Sequence, residues 1–151
     1  KINSFNNLYI TTMQYGELLT NLFFNLKALY QNNLKTSNAS FQQLLVISLI
    51  DYDGVKMSVF SNRLGIDNST ATRLIDRLEK KNWVKRKKCE LDNRIIKVYL
   101  TPKGEEVFKT VERQFNEIGF LIENEIEPGL RGEIIESGIS LNWAISKKLI
   151  K

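Results

Sequence analysis

The chain has 151 residues, 42% of them apolar, with 22 Lys+Arg against 17 Asp+Glu, one Cys and no His. That length suits one domain, or one small domain wrapped in extra helices, and the apolar share excludes a disordered polymer. The missing His and the single Cys remove the commonest general base and the ligands of ordinary zinc sites. No P-loop or dinucleotide glycine pattern occurs, so no catalytic residue, metal ligand or cofactor is expected.

Tyr15, Leu18, Leu19, Leu22, Leu26, Leu29 and Tyr30 recur at helical spacing and predict a long first helix from about residue 9 to 35. A polar stretch follows, in which Ser40 is a good N-cap. Phe41, Leu44, Leu45, Ser48 and Leu49 form the next stripe, a segment that Gly54 closes. Ser58 is read as the cap of a short helix that Gly65 ends. Asp67 caps another, with Ala71, Leu74, Ile75 and Leu78 as its buried stripe and Asn82 as its left-handed terminator.

The period then changes to alternation. Ile96, Val98 and Leu100 point one way, and Ile95, Lys97 and Tyr99 the other. Val84 and Arg86 supply an opposing strand, and Cys89 to Asn93 the hairpin tip. Thr101-Pro102 opens a further helix to about Ile126, with Pro at the first helical position. Pro128-Gly129 breaks it, and a last helix runs from about Leu130 to Leu149. No run approaches the roughly 20 apolar residues that span a bilayer, and no signal-peptide pattern opens the sequence. A lone Cys fits a reducing compartment, so a cytoplasmic protein without a membrane partner is expected.

Charge is uneven along the chain. Between Ser61 and Gly104, Lys/Arg outnumber Asp/Glu 12 to 5, and over the rest the ratio is 10 to 12. The positive excess sits in one central block, the footprint expected of a phosphate partner. Within it, the helix after Asp67 exposes Asn68, Ser69, Thr70, Thr72, Arg73, Asp76, Arg77 and Lys80. A helix about 10–12 Å wide fits a major groove about 12 Å wide, and an arginine fork suits guanine. The hairpin adds Lys85, Arg86, Lys87, Lys88, Arg94 and Lys97, offset only by Glu90 and Asp92. Six cations so close repel one another, and a phosphate backbone relieves that repulsion. Lys87 and Lys88 beside Cys89 invite a redox reading of that thiol, although a small apolar residue on a wing strand is the plainer one.

Two short helices joined by Gly65-Ile66-Asp67 and followed by a basic hairpin form a winged helix-turn-helix arrangement. From about Val55 to Gly104 the sequence resembles, without gaps, the DNA-binding core of MarR-type regulators (multiple antibiotic resistance regulators). The resemblance rests on Ser69-Thr70-x-Thr72-Arg73-Leu74, Asp92-x-Arg94 and Leu100-Thr101-Pro102-Lys103-Gly104. Two positions depart from it: Asn82 stands where the family usually has Gly, and Cys89 where it is usually acidic or polar.

The resemblance implies a mostly α fold with a minor β part, a single domain over residues 1–151. A winged helix-turn-helix lobe at about 40–104 would be flanked by dimerisation helices at about 1–35 and 105–151. It implies a homodimer, a transcriptional regulator and repressor, reading a pseudo-palindromic double-stranded operator. Ser69, Thr70, Thr72 and Arg73 would line the recognition helix, and Asn68 and Arg77, on the same exposed face, join them as candidate DNA contacts. Arg94 would enter the minor groove, braced by Asp92; Lys87, Lys88 and Lys97 are candidate DNA contacts from the charge of the hairpin itself. A small aromatic or amphipathic effector would occupy a cleft between the dimerisation helices and the lobe. Tyr15, Phe41 and Tyr52 are candidate contributors to that cleft, with core packing the expected role of each.

Overall fold

The computed structural model describes residues 14–35, 38–89 and 92–149. The fold is mostly helical with one small sheet, and the chain divides into two compact units, Lys1–Gln114 and Phe115–Lys151.

The first unit opens with α1 (Tyr15–Asn33), the described part of the long predicted helix; residues 9–13 of that prediction lie outside the described residues. α2 (Phe41–Ser48) begins at a capping box, in which the Gln43 N–H donates to Ser40 Oγ at 3.3 Å and the Ser40 N–H donates to Gln43 Oε1 at 3.1 Å. The two bonds satisfy donors that the first helical turn otherwise leaves open. α2 stops at Ser48, well before Gly54, which instead turns the chain at φ +72°. A Cβ on Gly54 would lie 2.6 Å from the Tyr99 ring, so both the backbone angle and the close approach call for glycine there.

That turn feeds β1 (Val55–Lys56), a strand too short to announce itself as alternation. α3 (Met57–Leu64) follows directly, and its N-cap is the extended Lys56 rather than Ser58. The cap is displaced because β1 holds Lys56 in extended geometry up to the first helical residue. Gly65 ends α3 in the left-handed conformation at φ +62°, as the sequence implies. α4 (Asn68–Lys80) starts at Asp67, buries Ala71, Leu74, Ile75 and Leu78, and is terminated by Asn82 at φ +58°.

β2 (Val84–Lys88) and β3 (Ile96–Leu100) pair antiparallel, with Val84 opposite Leu100 and Arg86 opposite Val98. β1 adds to the other edge of β3, giving the order β1-β3-β2 with Val55 opposite Val98. Val55, Val98 and Val84 join Val46, Ile47, Phe60, Ala71, Ile75, Leu78 and Trp83 in one apolar core. That core fixes the angle between α4 and the sheet, and hence the placement of the polar face of α4 beside the hairpin.

α5 (Pro102–Glu125) is started by Thr101, whose Oγ1 accepts the Gly104 N–H at 3.1 Å and donates to the Asn82 carbonyl at 2.6 Å. The Thr101 N–H donates to the Trp83 carbonyl at 3.0 Å. A Cβ on Gly104 would sit 1.8 Å from that same carbonyl oxygen, so only glycine admits this approach. The Thr101–Gly104 stretch is thus a joint between the end of α4, the base of the hairpin and the next helix.

In the second unit, a 3-10 turn (Pro128–Leu130) separates the end of α5 from α6 (Arg131–Leu149). Arg131 clasps the turn, donating to the Ile126 carbonyl at 3.2 Å and to Glu123 at 3.1 Å. α6 buries none of its residues, and Ile134, Ile135, Ile139, Trp143 and Leu149 are exposed along it.

Candidate nucleic-acid interface

The candidate surface is built from the first turns of α4. Asp67 accepts the Thr70 N–H at 2.9 Å, the Thr70 hydroxyl at 2.7 Å and the Ser69 hydroxyl at 2.5 Å. Bonds from Ser69 and then Thr70 stabilise the ionised carboxylate and hold Asp67 far below the usual carboxylate range. Thr72 donates its hydroxyl to the Asn68 carbonyl at 2.8 Å. All three hydroxyl hydrogens are therefore engaged within the helix start, and what these side chains present outward is oxygen lone pairs. The geometry makes them acceptors, which suits amino groups on base edges better than phosphate oxygens.

Asn68, Ser69, Thr72, Arg73 and Arg77 are exposed on this helix, and Thr70 is half-buried. Neither Arg73 nor Arg77 has an ion-pair partner among the described residues. Asp76 and Glu79 share the same helix, and their charge is met by Arg86 of β2. Arg86 Nη2 lies 2.7 Å from Asp76 Oδ1 and Nη1 lies 2.6 Å from Glu79 Oε2, while the Arg86 N–H donates to Glu79 Oε1 at 3.0 Å. Arg86 also reaches the Thr72 carbonyl at 3.3 Å. By charge alone Arg86 is one of six cations of the hairpin. It is instead a staple between hairpin and α4 that pairs with the two carboxylates of α4 itself.

The remaining hairpin cations fall into two sets. Lys85, Lys87 and Lys88 are exposed on β2. Lys97 is half-buried, donates to the Asp53 carbonyl at 3.1 Å and stands in register between Lys56 on one side and Lys87 on the other. Lys87 in turn lies 5.8 Å from the centre of the Tyr99 ring. Three lysines in line across three strands are like charges set directly opposite, an unfavourable arrangement that an anion offsets.

At the tip, the Arg94 N–H donates to Asp92 Oδ1 at 2.9 Å, and the Arg94 side chain is 95% exposed. Its Nε lies 4.0 Å from the same oxygen, beyond hydrogen-bond reach. Asp92 therefore shapes the turn through the backbone, in the manner of an Asx turn, and leaves the guanidinium free. The Cys89 N–H donates to the Ile95 carbonyl at 2.8 Å, closing the neck of the hairpin. Beside the tip, Lys56, Met57, Ser58, Arg94, Ile95 and Ile96 line a groove of about 440 Å³. Lys56 is a cation of this surface that the sequence reading missed, because only the pairing of β1 with β3 brings it there.

The effector candidates separate. Tyr52 is almost fully exposed, not packed in the core, and lines an opening of about 420 Å³ with Ile50, Tyr99, Leu100 and Phe108. The expectation of core packing fails because Tyr52 sits in the turn beyond α2, outside any helical stripe. Tyr15 is 77% exposed rather than packed, and Phe41 is half-buried at the start of α2. Neither lines that opening.

Comparison with known proteins agrees with this geometry. Residues 41–96 match the model of the MarR family. The transcriptional repressor MprA of Escherichia coli (strain K12) is 31% identical over 101 residues, covering 62% of this chain and 57% of MprA. The chain thus spans little more than half the length of the curated relatives it matches. Among solved structures, Streptococcus pneumoniae FabT in complex with DNA superposes with a TM-score of 0.71 at 23% identity, covering 89% of this chain and 96% of FabT. The PcaV transcriptional regulator from Streptomyces coelicolor, in complex with its natural ligand, superposes with a TM-score of 0.66 at 16% identity, covering 88% of this chain and 94% of PcaV. At these identities the structural likeness is one of fold, that of winged-helix regulators.

Proposed function

The chain carries a MarR family domain at residues 41–96, and from that premise we propose that it is a sequence-specific DNA-binding transcriptional regulator. The observation that carries the reading is the exposed, ion-pair-free Arg73 and Arg77 on α4 beside a hairpin whose tip arginine is 95% exposed, with Arg86 neutralising the helix's own carboxylates. Asn68, Ser69, Thr70, Thr72 and Arg73 read base edges in the major groove. Arg94 enters the minor groove, and Lys87, Lys88, Lys97 and Arg77 meet phosphates. The crystal complex of FabT with DNA supports the partner class.

The protein acts as a homodimer on a pseudo-palindromic operator, one domain spanning residues 1–151, in the cytoplasm. No helix among the described residues is long and apolar enough to cross a membrane. Support for the dimer comes from Leu19, Leu22, Phe23, Phe24 and Leu26, which are exposed on α1. Large unpaired apolar faces of this kind mark a partner surface. Repression is the favoured sign, after the name of MprA. A small aromatic or amphipathic effector fits the opening beside Tyr52, Tyr99 and Phe108, and PcaV, bound to its natural ligand, supports such modulation.

The test is fluorescence anisotropy with the DNA upstream of the protein's own gene. Affinity is expected to fall by roughly two orders of magnitude or more between about 50 and about 200 mM salt. Arg94→Ala weakens binding, and Arg73→Ala costs roughly 1–3 kcal/mol of discrimination between operator and a substituted site. Wild-type affinity in both variants would remove this surface from the candidate site.

A further inference from the structure

A second charged feature lies away from the recognition surface. Lys35, Lys80, Lys81 and Lys103 converge on a cavity of about 880 Å³ walled by Trp83, with Glu106 its one acidic side chain. Four elements meet there: the end of α1, the last turn of α4, the turn leading to β2, and the start of α5. Lys81 is fixed in place, donating to the Asn38 carbonyl and to Gln43 Oε1 at 3.2 Å and lying 4.8 Å from the centre of the Trp83 ring. The ammonium groups of Lys35, Lys80 and Lys103 have no hydrogen-bond or ion-pair partner among the described residues. One carboxylate against four ammonium groups leaves a strongly positive hollow with an apolar wall.

We propose that this cavity binds a small polyanion carrying two or more phosphoryl groups. Its volume lies in the range of small-molecule sites. Lysines act as point charges with rotatable donors and suit tetrahedral phosphoryl oxygens arrayed in three dimensions, whereas planar carboxylates are better matched by arginine forks. DNA is not the anion that this cavity serves. α4 has 13 residues, so its last turn lies about 20 Å along the helix from the Asp67 end where Asn68 and Ser69 are presented. The cavity also occupies the opposite flank of α5 from the opening beside Tyr52, since Lys103, Glu106, Val107 and Thr110 line the one, and Glu105, Phe108, Lys109 and Glu112 the other.

Isothermal titration of the full chain with inorganic tripolyphosphate, at constant ionic strength, tests the site. Saturable binding is expected, weakened tenfold or more in the double variant Lys35→Gln/Lys103→Gln and within twofold of wild type in Lys85→Gln/Lys88→Gln on the wing. A second readout uses Trp143→Phe, which leaves Trp83 as the sole indole: tripolyphosphate should change its emission, and the change should vanish when Lys35→Gln/Lys103→Gln is added. Absence of saturable binding overturns the proposal. So does binding that survives Lys35→Gln/Lys103→Gln, and so does binding lost equally in the wing variant, which would assign the anion to the nucleic-acid surface.

Discussion

α1 and α4 are both amphipathic, yet they meet opposite fates within the chain. α4 has 13 residues and buries Ala71, Leu74, Ile75 and Leu78 against α2, α3 and the sheet. α1 has 19 residues and buries none, leaving Leu22, Phe23 and Phe24 in contact with solvent. A helical stripe in a sequence says that a cover is needed; it does not say which chain supplies it. The lobe is closed by its own residues, whereas α1 leaves its stripe exposed.

The largest effect should come from opening the closed side of that contrast. Phe60 is fully buried at the centre of the lobe, and Phe60→Ala should cost roughly 3–5 kcal/mol of unfolding free energy in urea. A loss below about 1 kcal/mol would mean that the core is organised around other residues. On the open side, Phe24→Ser should leave the lobe's core intact. It should weaken the dimer by roughly tenfold or more, the equivalent of about 1.5–3 kcal/mol for one large apolar side chain. Sedimentation velocity across a concentration series reads this directly, and an unchanged monomer–dimer equilibrium would take α1 out of the interface.

The smallest effect concerns the cap of α4. The folded-state pKa of Asp67 is depressed by the Ser69 and Thr70 bonds. Its contribution is therefore fully present above the ordinary carboxylate range and is lost as pH falls below about 4 and on through the folded value. Asp67→Ala should flatten the acid limb of a stability–pH curve and lower the plateau near neutrality. A variant with the wild-type acid limb would show that the cap bonds do not hold in solution.

Much of this was legible in sequence because it is local. Ser40, Gly65, Asp67, Asn82 and Thr101 each end or start a helix by a contact within a few residues, and all five act where the residue type says they should. The alternation over Ile96–Leu100 declared β3 for the same reason. What escaped is non-local. β1 has two residues, too few for any period, and exists only through its pairing with β3. Its presence moved the cap of α3 from Ser58 to Lys56 and brought Lys56 beside Arg94. Arg86 read as one more wing cation until the fold set it against Asp76 and Glu79, 10 and 7 residues away. At the candidate site, the residue types were readable but the protonic roles were not. Engagement of the Ser69, Thr70 and Thr72 hydroxyls, and the turn-shaping role of Asp92, depend on distances that spacing alone does not supply.

The Trp83 carbonyl gives the joint at the base of the hairpin a mechanical meaning. It takes the Thr101 N–H and lies flush against Gly104, while the neighbouring Asn82 carbonyl takes the Thr101 hydroxyl. Three elements thereby share one pivot with no slack between them. A displacement of the first turn of α5 is therefore passed directly to the end of α4 and to the base of the hairpin.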